Sequence, residues 1–222
     1  MYELVRGPLV WVSFLIFIVG TTIQVMRFYR LSRLKPMLKL KPDGPSTAGP
    51  VPVASWWYQL KMLRLTILGR QPLMIFVTTV FHLCLIVTPL FVMGHNMLLD
   101  MSWGISFPSF SDNVSDALTV IVILTGFYFF YRRMFMYRVA VITTAYDYIL
   151  LLIATAPFIT GFLAYHQVFN YRALIFIHML SGEILLMAVP FTKLIHMPFF
   201  FINRFVIIHE NTLGRGGSRV WR

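Results

Sequence analysis

Five apolar runs constrain this chain more than anything else in it. They cover roughly residues 8–26, 72–98, 117–131, 139–165 and 172–198, and charged side chains are sparse inside them. A bilayer's hydrocarbon core needs about 20 apolar residues in a helix, and only helices or closed barrels satisfy their backbone within it. Runs of this length without strict alternation are helical. The chain therefore reads as an all-α integral membrane protein of five transmembrane helices. Composition agrees: 58% of residues are hydrophobic and 12% charged, against roughly a quarter charged in soluble domains. Arg6 precedes the first run, but no small-residue cleavage site follows, so that run reads as a retained span.

The loops set an orientation. Residues 27–71 carry Arg27, Arg30, Arg33, Lys35, Lys39, Lys41, Lys61, Arg64 and Arg70 against Asp43. Their middle, KPDGPSTAGPVP, is too rich in Pro and Gly for a regular helix. The following SWWYQLKMLRLTILG is amphipathic and suits a membrane surface. Residues 99–116 hold Asp100, Asp112 and Asp116 and no Lys or Arg. Arg132, Arg133 and Arg138 follow the third run, and the tail 199–222 turns basic and Gly-rich. The positive-inside rule then places loop 27–71 and the tail in the cytoplasm and the N-terminus outside. The net charge of +11 is that loop bias rather than a nucleic-acid-binding face. Cys84, the single cysteine, excludes a self-contained iron–sulfur cluster and reads as a small buried hydrophobe.

Ionisable residues inside spans are functional candidates by default. His178 and His196 stand eighteen residues apart near the two ends of the last run. On an unbroken helix that is about five turns and about 27 Å, so both imidazoles would share a face, one near each surface. His82 and His95 lie thirteen residues apart in the second run, with Pro89 between them and Gly94 beside His95. A straight helix would turn that pair about 220° apart, and Pro89 should kink it. By depth the topology pairs His82 with His196 on the inner side and His95 with His178 on the outer. Imidazole is a good iron ligand, so the pattern points to two stacked haems with bis-histidine ligation. The layers are too far apart for one tetrahedral zinc site. His166 is an alternative outer ligand, and His209 lies beyond the last span.

HMLSGEILLMAVPFTKLIHM at 178–197, FHLC and GH between 81 and 95, and RRMFMYRVAVITTAYDYILLL at 132–152 resemble the membrane cytochrome b (gamma) subunit family of respiratory nitrate reductase. The resemblance covers spans two to five. It implies that His82, His95, His178 and His196 ligate two haems b. The second-span histidines are further apart than that family's pattern by about three residues, most of one turn. Glu183 and the long loop at 36–60 also depart from it. With RGPLVW near the start and FLAYHQ at 162–167, they look more like the cytochrome b subunits of Tmc- or Hmc-type transmembrane redox complexes of sulfate-reducing bacteria. That resemblance implies partners: a periplasmic multihaem cytochrome c and a cytoplasmic iron–sulfur subunit similar to heterodisulfide reductase.

Other polar residues have candidate roles. Arg172, Lys193 and Arg204 are cations near the expected haem layers, suited to propionates or to ordinary snorkelling. Glu183 suits proton handling near a quinone or a helix-to-helix hydrogen bond. Asp147, close to the inner arginines, is expected to make a helix-to-helix hydrogen bond or to pair with Arg132 or Arg133 rather than to handle protons. The expected function is an electron-transfer subunit in a bacterial cytoplasmic membrane, passing electrons between periplasmic cytochrome c or menaquinone and the iron–sulfur partner. A quinol-oxidising nitrate reductase subunit and a haem-free membrane anchor are the alternatives.

Overall fold

The computed structural model describes residues 2–32 and 71–202. The expected cytoplasmic loop, its amphipathic segment and most of the tail, with Arg204 and His209, lie outside the described residues. Those described are helical, with no strand among them. Five helical stretches are long and apolar enough to cross a membrane: Val5–Leu31, Pro72–Phe91, Asp112–Phe135, Ala145–Tyr165 and Tyr171–Phe191. Large apolar side chains such as Phe76, Leu83, Phe127 and Leu152 are exposed along them, as suits a surface solvated by lipid. The chain is thus a multi-pass membrane protein by length and composition. It divides into two compact units, residues 1–35 with 145–222, and residues 36–144.

The first unit holds α1 (Val10–Ser32), α5 (Ala145–Tyr165) and α6 (Tyr171–Ala188). α5 and α6 form an antiparallel hairpin. Gln167 closes α5 in the left-handed region, at φ 52°. The N–H of Val168 there bonds back to the Leu163 carbonyl at 3.2 Å. Asn170 then caps α6 by accepting from the Ala173 N–H, satisfying one of the orphan donors of its first turn. α1 packs on the other side of α6. A Cβ at Gly20 would fall 2.8 Å from Pro190, so only glycine allows this approach.

The last span is not one helix to residue 198. α6 stops at Ala188, a 3-10 turn covers Val189–Phe191, and Thr192 is extended at φ −122° and ψ −178°. Pro190 removes an N–H and crowds the preceding turn. Its own carbonyl is taken by the Gln24 side chain at 3.1 Å. The Leu194 N–H, which a continuing helix would send to that carbonyl, goes to the Thr192 hydroxyl instead. A shorter helical segment, Lys193–Ile202, follows. The unbroken five-turn helix expected between His178 and His196 is therefore interrupted.

The second unit holds α2 (Pro72–Phe91), α3 (Met93–Trp103) and α4 (Asp112–Phe135). Phe81, Cys84 and Thr88 form the buried face of α2, and Phe81 meets Phe129 of α4 edge-on at 5.2 Å. The expected second run of 72–98 is broken at Val92, whose ψ of 133° ends α2 three residues after Pro89. The Phe91 carbonyl accepts from the Phe110 N–H, and the two rings lie 5.1 Å apart. α4 is longer than the expected 117–131. Asp112 in its first turn and Arg132 and Arg133 in its last complement the helix dipole. The expected fourth run from Val139 instead starts at Ala145, after a short helix, Tyr137–Ala140.

Candidate functional site

The four histidines expected as ligands have one feature in common. His82, within α2, directs Nδ1 at the Thr78 carbonyl at 2.8 Å. His95, in the first turn of α3, directs Nδ1 at the Pro89 carbonyl at 2.9 Å. His178, within α6, reaches across to the Pro157 carbonyl of α5 at 2.9 Å. His196 directs Nδ1 at the Lys193 carbonyl at 2.7 Å. A carbonyl oxygen only accepts, so in each ring Nδ1 carries the proton and donates. The lone pair of the neutral imidazole is then on Nε2. Metal-ligating histidines are commonly held this way, by a second bond that fixes tautomer and ring orientation. The donor set thus fits iron of a haem, one imidazole nitrogen at a time.

Local structure explains three of the four anchors. His82 uses the carbonyl one turn back on its own helix. The break at Val92 brings His95 within reach of Pro89, six residues earlier, which a straight helix would not do. His178 lies against Gly161, where a Cβ would fall 2.8 Å from its Cε1. That bare backbone lets the ring reach Pro157. The Thr160 hydroxyl is 3.4 Å from the same Nδ1 and 3.3 Å from the Ser181 hydroxyl. Sequence reasoning missed Pro157, Thr160, Gly161 and Ser181. The spacing of Pro157 and Gly161, one turn apart within an apolar helix, was the available signal. At Gly94 a Cβ would meet nothing within 4 Å.

His178 and His196 belong to one unit and His82 and His95 to the other. The depth pairing belongs to the proposal below. His166 is exposed and lies against the rings of Phe162 and Tyr165. Among the described residues no three His, Cys, Asp or Glu side chains gather as a metal cluster. Cys84 is buried.

The other candidates are placed as follows. Arg172 is exposed in the first turn of α6. Lys193 donates to Asp147 at 2.7 Å and stands 5.5 Å from the centre of the Tyr146 ring. Asp147 thus bonds to Lys193, from the break after α6, a link between helical segments of the same unit, as one of the two expectations had it. Glu183 is buried, and neither of its oxygens has a hydrogen-bond partner among the described residues. At the α2–α3 break, Thr88 Oγ1 and Asn96 Oδ1 are also buried with no hydrogen-bond partner among the described residues, while the Asn96 amide donates to Ser109.

A protein of Nitratidesulfovibrio vulgaris (strain Hildenborough), whose name states no activity, is 32% identical over 230 residues, covering 98% of this chain and 96% of its own length. The chain belongs to the same family as that protein. No family model matches the chain, and no solved structure does.

Proposed function

We propose that this member of the family is a dihaem cytochrome b subunit that carries electrons across a bacterial cytoplasmic membrane. The observation that carries the reading is the common anchoring of His82, His95, His178 and His196, each giving its Nδ1 proton to a main-chain carbonyl. Haem b held between two imidazoles supplies one-electron transfer. The residues of the chain bind and orient. His82 with His196 serves the inner site and His95 with His178 the outer. Arg172 is the cation available to outer propionates, and Lys193 and Arg204 to inner ones. Lys193, already on Asp147, would share or exchange that partner.

The electron partners follow from the family resemblance. They are a periplasmic multihaem cytochrome c, the menaquinone pool and a cytoplasmic iron–sulfur subunit similar to heterodisulfide reductase. The absorption spectrum of the purified protein tests the reading. Low-spin b-type bands and roughly two haems per chain by pyridine haemochrome are expected for two bis-histidine sites. His178→Ala and His196→Ala should each remove one haem. A colourless preparation overturns the reading and leaves a haem-free anchor. If His95→Ala keeps both haems and His166→Ala loses one, His166 is the outer ligand. A co-purifying molybdenum subunit would mark the nitrate reductase alternative.

A further inference from the structure

Glu183 is 3% exposed, and neither carboxyl oxygen has a hydrogen-bond partner among the described residues. Its surroundings follow from helix packing. α1 and α6 run parallel, because the turn Val5–Leu9 before α1 touches α6 and the turn Val189–Phe191 after α6 touches α1. Gly20 meets Pro190. Seven residues, about two turns, lead back from that contact to the same face of each helix. They arrive at Ser13 and Glu183. Ser13 is fully buried, and its hydroxyl already donates to the Val10 carbonyl at 2.8 Å. On the antiparallel α5, the contact of Thr160 with Ser181 brings the buried, apolar Phe158 to the level of Glu183.

No side chain that titrates occurs from Gly7 to Met26 on the α1 side, or from Ile149 to Ala164 on α5. Arg6, Arg27, Tyr146, Asp147, Tyr148, Tyr165, Tyr171, Arg172 and Lys193 flank this stretch at its ends. On α6 itself the near titratable group is His178, about one and a half turns away and rotated by about 140°. Among the described residues of the first unit, a charge on Glu183 has no counter-charge at its own level. Uncompensated charge in such a setting is costly, and it is tolerated when an opposite change is made nearby.

We propose that Glu183 is a proton-loading site coupled to the haem held by His178, an inference that rests on the function proposed above. Glu183 takes up one proton from water as that iron passes from ferric to ferrous, the electron coming from a quinol or a ferrocytochrome. It returns the proton when the electron moves on. The negative charge of the electron and the positive charge of the proton cancel, so the membrane interior sees no net change. Linkage makes the effect reciprocal: reduction favours proton binding and proton binding favours reduction.

Redox titration of the purified chain as a function of pH, with haem counted in each sample, tests this. In the wild type the potential of the outer haem should fall as pH rises through the titration of Glu183. Glu183→Gln should keep both haems and flatten that dependence, leaving the potential at the high value of the protonated site. Redox-difference infrared spectra should show a carboxylic C=O band on reduction. That band should shift with ¹³C-glutamate labelling, which separates it from haem propionates, and vanish in His178→Ala. An E183Q protein with both haems and an unchanged pH dependence overturns the proposal. If E183Q loses a haem, the wild-type spectrum decides, and absence of a labelled band overturns the proposal. A colourless wild type removes the proposal and the dihaem reading together; a haem-loaded wild type with neither signal removes the proposal alone.

Discussion

His178 depends on an absence. Its ring occupies the space where any side chain at Gly161 would begin, with Cε1 2.8 Å and Nδ1 3.0 Å from the nearest Cβ position. Gly161→Ala must push the imidazole off the Pro157 carbonyl or move α5 away from α6. On the dihaem reading proposed above the expected result is loss or spectral change of one haem, and on any reading a stability loss of about 1–3 kcal/mol, typical of overpacking. Haemochrome counting and thermal unfolding in detergent check both. Gly182→Ala is the matched control, because its Cβ would meet nothing within 4 Å, and it should leave both haems. The ion pair of Lys193 with Asp147 is a contrasting case. The lysine side chain is 63% exposed, so solvent screening limits the pair to about 0–1 kcal/mol. Asp147→Asn should barely move the unfolding midpoint. If Lys193→Ala lowers the inner haem's occupancy while Asp147→Asn does not, the lysine's role is with the propionates rather than with Asp147.

At the scale of elements, hydropathy made the five spans legible, because a run of apolar residues this long has few other fates. The breaks were only half legible. Pro89 was visible as a disturbance, but the change of direction falls at Val92, where the strand-like ψ and the bond from Phe110 to Phe91 decide it. Pro190 sits in a locally apolar stretch, ILLMAVPF at 184–191, so hydropathy carried α6 past its end. Thr192 and Gln24, which take over the backbone groups around that proline, come from different parts of the chain. The histidines were legible as residues; their carbonyl anchors were not, since two of the four depend on tertiary contact or a helix break. The contact of α1 with Pro190 gives an element-scale expectation. Gly20→Leu should wedge the helices apart and lower stability by about 1–3 kcal/mol, read as a lower unfolding temperature in detergent. The same substitution at Gly94 should cost less, because nothing stands within 4 Å of its Cβ position.

For the whole molecule, the side of the membrane proposed for each haem and each partner rests on orientation, and orientation rests on loop charge. The connection 99–116 has acids without a base, and the turn after α4 has Arg132, Arg133 and Arg138. The bias of Lys and Arg sets which side is cytoplasmic. Single cysteines test this against a silent background, because the native Cys84 is buried. Ser106→Cys and Gln167→Cys, both at exposed positions, should react with a membrane-impermeant thiol reagent added to intact spheroplasts. Val141→Cys, exposed in the turn before α5, should react only after the membrane is opened. The reverse pattern would exchange the inner and outer sites and invert the partners proposed for each side. It would leave the pairing proposed above unaltered, because inverting every span together exchanges inner for outer at all four histidines alike.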